Sequence, residues 1–221
     1  MSVFKSSSIA LIGLVGELIS VEVDISDGLP SFTLLGLPDA ALNESRERVR
    51  TALSNSNFKW QNKKTTVALS PAWLPKSGSG FDLPIAIAIL GAQGILNESE
   101  VCGKIFLGEL GLEGTVKAVK GVLPALIHAK KIGVKVAIIP RANFSETIYL
   151  EDLEVVPVAS LQETIDFLKT GVKSRIEPDE IKYESKVIDM SEVVGQAVAR
   201  KLMEIAAIGG HNLLLIGPPG T

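Results

Sequence analysis

The sequence predicts an α+β domain over residues 1–171, a charged linker at 172–186 and the start of a second, α/β unit at 187–221. Three observations lead to this reading. Strand-period runs and helix-period stripes are mixed along the first 170 residues. From Asp82, the stretch DLPIAIAILGAQGIL is apolar on every side, as a helix inside a core is. The stretch VKSRIEPDEIKYESK at 172–186 is charged and has no apolar periodicity, as expected of an interdomain linker.

Residues 9–25 and 29–37 read as strands around a turn at Asp27-Gly28. Pro38-Asp39 opens a helix, with Asp39 as N-cap and Leu42, Val49, Ala52 and Leu53 as its apolar stripe. Glu44, Arg46, Glu47 and Arg50 fall on its outer faces. Residues 65–70 form a strand, followed by the loop PAWLPKSGSG at 71–80. In the apolar helix, Pro84 is tolerated because it lies in the first turn. Residues 105–112 and 115–119 read as a hairpin turning at Glu113-Gly114. A helix at 122–132 stops at Gly133 after Lys130 and Lys131. Strands follow at 134–139 and 155–158, and Ser160 with Glu163 forms a capping box for a helix ending at Gly171. Beyond the linker, a helix at 195–208 carries Val198, Leu202, Ile205 and Ala206 on one side. Gly209-Gly210 ends it, and residues 213–216 read as a short apolar strand.

Hydrophobic residues make up 46% of the 221 and charged residues 21%, which suits a packed core and not a disordered chain. Mean hydropathy is +0.32. The most apolar runs, 9–15, 84–96 and 213–216, still fall short of the roughly 20 residues of a spanning helix. The opening MSVFKSSSIALIGLVGEL has the order of a signal peptide, but Glu17 interrupts it and no small-residue cleavage site follows, so it reads as a core strand. No membrane association is expected. The single Cys102 allows no internal disulfide and fits a reducing, cytoplasmic setting. Two His and one Cys make no metal-ligand cluster. A net charge of −3 argues against a protein that coats nucleic acid, and leaves room for a local basic face.

The stretch LLLIGPPGT at 213–221 runs an apolar strand into a Gly-rich turn, the context of a phosphate loop. Such a loop wraps backbone N–H groups around phosphate oxygens in the pattern G-x-x-x-x-G-K-[ST]. Gly217, Pro218, Pro219, Gly220 and Thr221 supply its first five positions. Taken alone they also fit a plain Pro/Gly turn. The Lys and the Mg²⁺-binding hydroxyl are not among these residues, so the chain as given is expected not to hydrolyse ATP or to hold a cofactor by itself.

SEVVGQAVARKLMEIAAIGGHNLLLIGPPGT resembles the start of the ATPase core of magnesium-chelatase-like AAA+ proteins of the YifB/ComM type. VEVDISDGLPSFTLLGLPDAALNESRERVRTAL, LSPAWLPKSGSGFDLPIAIAIL and FLGELGLEGTVKAVKGVLPAL resemble the front part of the same family, in the same order. Residues 172–186 and 141–158 match least. The resemblance implies ATP and Mg²⁺ in the longer parent chain, with Val194, Gly195 and Gln196 near the adenine and Gly217 to Thr221 near the phosphates. It also implies a homo-oligomeric ring that acts on DNA, as in branch migration during transformation, or a remodelling motor whose front domain binds a protein. For residues 1–170 it implies the ribosomal-protein-S5 domain-2-like fold that the Lon protease domain shares.

That kinship raises peptidase chemistry. Lon-type proteases use a Ser whose proton is taken by a buried Lys of lowered pKa. Lys76-Ser-Gly-Ser-Gly80 resembles the nucleophile loop and GELGLEGTVKAVKGVLPAL the Lys-bearing stretch. Matching the motifs puts Gly80 at the Ser position and Leu123 at the Lys position, so both catalytic groups are missing. Ser77, Ser79, Lys117 and Lys120 are nearby, but a displaced dyad would need both partners to move together. Asp82 is expected to cap the apolar helix or bind a loop amide.

Basic residues beside an aromatic can combine phosphate contact with base stacking. Arg46, Arg48 and Arg50 on the first helix, with Lys59, Lys63 and Lys64 around Trp60, fit that pattern. They equally fit a solvated helix face with one packed Trp, because Glu44 and Glu47 dilute the charge. Trp73, Lys76 and Lys120 make a second candidate DNA-contact surface.

Overall fold

The N-terminal alternation folds back on itself instead of forming one long strand. A computed structural model of the chain describes residues 3–36, 40–74, 76, 78–148, 150–174 and 189–218, with no side-chain account of 40–43. Strands β1 (Phe4–Ile12) and β2 (Val15–Ser26) pair antiparallel, from Phe4↔Val23 to Ile12↔Val15. The strand expected at 9–25 is therefore split at Gly13-Leu14. Gly13 has φ +62 and is the first residue of the two-residue turn, where a type II′ hairpin needs positive φ. Gly13 lies inside an apolar run with no polar turn residue beside it, so periodicity alone does not reveal the break.

Strand β3 (Ser31–Leu35) leads into helix α1 (Ala40–Asn55) and then β4 (Lys64–Ser70). β4 pairs antiparallel with β2 on one side and parallel with β3 on the other, giving the sheet order β1-β2-β4-β3. The turn at Asp27-Gly28 therefore makes no hairpin, because β3 lies across β4 from β2. The expected N-cap Asp39 lies outside the described residues, as does the Leu42 side chain.

Helix α2 (Asp82–Ala92) is buried from Asp82 through Gly91. It packs with Ile19, Val21 and Val23 of β2 and with Val49, Ala52 and Leu53 of α1 in the main core. A Cβ added at Gly91 would run into the ring of Phe4, so the absence of a side chain there sets how closely α2 lies on β1.

Helix α3 (Glu98–Val101) precedes β5 (Lys104–Phe106), β6 (Glu109–Leu110) and β7 (Val116–Lys117). The hairpin expected over 105–119 is thus reduced to β6 and β7, paired antiparallel, with its turn at Gly114 as expected. β5 instead joins a parallel sheet, β5-β8-β9, with β8 (Val136–Pro140) and β9 (Glu154–Val158). The backbone between is committed elsewhere. Leu107 donates its N–H to Ile138 (3.0 Å), and Gly108 donates to Gly80 while accepting from Leu83 (both 3.0 Å).

Helix α4 (Val122–Lys131) stops before Gly133, which has φ +84. It covers a second core with Ile9, Ile105 and Ile139. Helix α5 (Leu161–Thr170) is capped by Ser160, whose hydroxyl accepts from Glu163 N–H at 3.1 Å. The Glu163 carboxylate closes the box one residue early, on Ala159 N–H at 2.7 Å.

The chain divides into two compact units, 1–177 and 178–221. In the second, helix α6 (Ala197–Gly209) forms where the stripe predicts one and ends at Gly210 with φ +63. The strand expected at 213–216 does not form. Leu214 and Ile216 are 79% and 90% exposed, and none of the described residues of this unit is buried. A strand requires neighbours for its N–H and C=O groups, and the described part of this unit holds no other strand to supply them. Among the described residues no helix is long and apolar enough to cross a membrane. Of the linker, 175–186 lies outside the described residues.

Gly91→Ala should destabilise the protein by about 1–2 kcal/mol in urea unfolding, because overpacking exceeds the helix-propensity gain. In a Phe4→Leu background the same change should be neutral or stabilising.

Candidate functional site

The loop after β4 and the start of α2 are organised by two buried charges. Asp82 has no exposed surface. Its carboxylate accepts from Ser45 Oγ (2.5 Å), from Arg48 Nε (2.7 Å) and Nη2 (3.2 Å), and from the Leu110 N–H of β6 (3.2 Å). One side chain thus joins α1, α2 and the β6–β7 hairpin. Burial pushes the Asp82 carboxyl above its usual range, against the hydrogen bonds and charge of Arg48 and Ser45 that pull it down. The hydrogen bond from Arg48 to Asp82 raises the guanidinium pKa in turn. Asp82 does bind a backbone amide, but that amide belongs to strand β6 and not to a loop. It does not cap the helix as expected, since Phe81 occupies the N-cap position with no side-chain bond.

Lys76 is the second buried charge, 1% exposed. Its ammonium donates to the carbonyls of Gly36 (3.0 Å), Leu74 (3.1 Å) and Pro71. All three of its donors are used. Burial lowers its pKa. Lys76 and Arg48, both candidates for surface contact with DNA, are therefore withdrawn from that role. Lys76 ties the loop to Gly36, and Arg48, 19% exposed, is engaged by Asp82. The all-apolar surroundings of Asp82 in the sequence signal a carboxylate that needs a buried partner, and Arg48, 34 positions away, is supplied by packing alone.

A cavity of about 460 Å³ lies between the loop at 78–81 and the segment 118–122. Gly80 and Lys120 line it, together with Ser79, Glu109 and the β1 residues Ile9 and Leu11. The Ser79 hydroxyl donates to the Glu109 carboxylate, and Lys117 Nζ lies 4.0 Å from the other oxygen of that carboxylate. Lys120 is exposed. Ser79 therefore has a carboxylate for its partner and no lysine amine. A Cβ at Gly80 would meet only Val119, at an ordinary 3.8 Å, so the position could hold a side chain and holds none. Ser77 lies outside the described residues.

A second concavity, of about 320 Å³, is lined by Phe32 of β3, Arg46 and Arg50 of α1, and Trp60 and Lys63 ahead of β4. Trp60 is half-buried against the core. Its ring meets Phe32 at 5.5 Å between centroids, tilted by 57°, and the Arg50 guanidinium lies 6.0 Å over it. Arg46 pairs with neighbouring Glu47 (3.0 Å) and Lys63 with Asp27 (2.9 Å), both at exposed sites. Lys59 and Lys64 are exposed nearby in sequence. The structure thus brings Arg46, Arg50 and Lys63 together with Trp60. Trp73 is 73% exposed in the other loop, without the free Lys76 expected beside it.

In the second unit Val194 is 94% exposed, and Gly195 and Gln196 have φ of +75 and +49 at the start of α6. Gly217 and Pro218 are described, whereas Pro219, Gly220 and Thr221 lie outside the described residues. The described residues form no phosphate cradle. Among them no group of His, Cys, Asp and Glu could hold a metal ion.

The family described as subunit ChlI of Mg-chelatase matches residues 21–143, and the magnesium chelatase subunit ChlI family matches 189–221. Among curated proteins, the competence protein ComM of Haemophilus influenzae is 40% identical over 228 residues, covering 100% of this chain and 44% of its own length. YifB of Escherichia coli K12 is 39% identical over 213 residues, covering 96% of this chain and 42% of its own. The Lon protease of Mesomycoplasma hyopneumoniae is 27% identical over 168 residues, covering 69% of this chain and 19% of its own. The class is thus a magnesium-chelatase ChlI-like AAA+ protein. Within that class, the chain belongs to the YifB/ComM type, and it spans less than half the length of those two relatives.

Two outcomes test the site. Asp82→Ala should cost about 2–3 kcal/mol in urea unfolding, somewhat below a fully buried pair because Arg48 keeps some solvent contact. Arg48→Ala in that background should cost clearly less than it does alone, revealing the coupling. Incubation with an unfolded protein such as casein should give no cleavage, and Ser79→Ala should change nothing. Turnover that disappears in Ser79→Ala would restore a peptidase.

Proposed function

We propose that this chain is the front region of an ATP-driven motor that acts on DNA. Residues 187–221 would begin its ATPase core, with Val194, Gly195 and Gln196 toward adenine and Gly217 to Thr221 toward the phosphates in the complete protein. ATP and Mg²⁺ would serve that complete protein, as a homo-oligomeric ring in the cytoplasm. Residues 1–171 would be an S5 domain-2-like fold related to the Lon protease domain, kept for DNA contact without the Ser–Lys dyad. The observation that carries the DNA reading is the concavity where Arg46, Arg50 and Lys63 surround Trp60. Cations beside an exposed aromatic edge suit a nucleic-acid backbone and its bases. Membership in the YifB/ComM type, with one relative described as a competence protein, supports the same reading.

A second reading, in which the front region binds a protein, is favoured by one feature. The tip of the β1–β2 hairpin exposes Ile12, Leu14, Val15 and Leu18 together.

The test is fluorescence anisotropy with labelled single-stranded and branched DNA at two salt concentrations, joined to ATP turnover in a chain of the relatives' full length. Binding should weaken steeply with salt. Arg46→Glu with Lys63→Glu should weaken it by roughly tenfold or more at low salt and lower the salt slope by about 2. ATP turnover should rise with DNA. A chain that binds no DNA at low salt, or whose full-length form turns over no ATP, would defeat the proposal.

A further inference from the structure

We infer that the concavity between Phe32, Trp60, Arg46, Arg50 and Lys63 is a binding site for one unpaired nucleotide, its base against Trp60 and Arg50 and its phosphate on Arg46 and Lys63. The inference rests on the DNA reading above and narrows it to a form of nucleic acid.

Size is the first argument. About 320 Å³ is the small end of ligand pockets, room for one nucleotide and not for a duplex. The stacking surface is also prepared in advance. One side of Trp60 is fixed by the core and by Phe32, so ordering the indole adds little entropic cost on binding. The Arg50 guanidinium at 6.0 Å offers a second flat cationic surface. A base sandwiched between the indole and the guanidinium needs about 3.5 Å on each side, more than the 6.0 Å now between them, so Arg50 must move outward to admit one. Arg50 is exposed and its partner is the ring itself, so the shift breaks no buried contact.

The cations around the slot are available. Arg46 and Arg50 are four residues apart, on one face of α1. The Arg46–Glu47 and Lys63–Asp27 pairs are solvent-exposed and contribute little, so a phosphate can replace either carboxylate. Paired bases present their faces to their neighbours in the stack. Within a duplex both faces of each internal base are covered, whereas an unpaired base can turn a face to Trp60. A nucleotide could reach the slot within a strand or as a free monophosphate, since the recognised unit is the same.

The experiment follows Trp60 emission in the full 221-residue chain carrying Trp73→Phe, which leaves Trp60 as the sole tryptophan, while the anisotropy of labelled oligonucleotide and duplex reads affinity independently of that emission. The probes are a thymidine oligonucleotide, a blunt duplex of equal length and free thymidine monophosphate. The oligonucleotide should quench Trp60 saturably and bind at least tenfold tighter than the duplex at equal salt. Arg50→Ala should weaken oligonucleotide binding by roughly tenfold, the scale of one stacked base, with unchanged urea unfolding. Trp60→Phe keeps a ring in the core and should preserve part of the affinity. Quenching by the monophosphate alone supports the site and detaches it from the DNA reading. Duplex binding as tight as single-strand binding, without quenching, overturns the site and leaves the DNA reading intact. Absence of binding by all three probes overturns both.

Discussion

The buried carboxylate of Asp82 sits where α1, α2 and the β6–β7 hairpin meet, and their mutual positions depend on it. An ionised carboxylate withdrawn from water is unfavourable by several kcal/mol unless partners replace the lost solvent. Here a side-on guanidinium, a hydroxyl and a backbone N–H do so. The requirement fixes Arg48 inward, and Arg46 and Arg50 on the same helix remain at the surface. One internal interaction thereby decides which arginines can meet a ligand. Lys76 does the same for the loop after β4, drawing three carbonyls onto one ammonium.

These two charges also organise the region that is similar to Lon proteases. The loop at 78–81 and the segment 118–122 still enclose a cavity, held in place by the Gly108–Gly80 hydrogen bond and by Asp82. Its polar wall is a Ser79–Glu109 pair, with Gly80 offering no nucleophile. The cavity's apolar wall belongs to the cores, with Phe81 in one and Ile9, Leu107 and Val122 in the other, so the cavity's shape is kept by packing that needs neither a nucleophile nor a base.

Much of the fold was legible in residue patterns. The all-apolar helix, the amphipathic α1, the Gly133 and Gly171 stops and the Ser160 cap each follow from a local rule. The misses share a cause. Gly13 turns the chain inside an apolar run, and β5 leaves its neighbouring hairpin for β8, because pairing across the chain outweighs local preference. The strand at 213–216 fails for the converse reason, since its pattern was right and its described surroundings hold no strand to pair with. At the candidate site, composition brought Arg46, Arg48, Arg50, Lys63 and Trp60 forward as one group and could not sort them.

By itself the sequence determined the mixed α+β class and the family, because these are matters of residue identity and order. Only the tertiary structure decided that Arg48 and Lys76 are internal ties and that Arg46, Arg50 and Lys63 meet around Trp60. Charge at a position is a property of the residue. Whether that charge faces an internal partner or solvent depends on elements 34 to 40 positions away in the chain, and only packing brings those together.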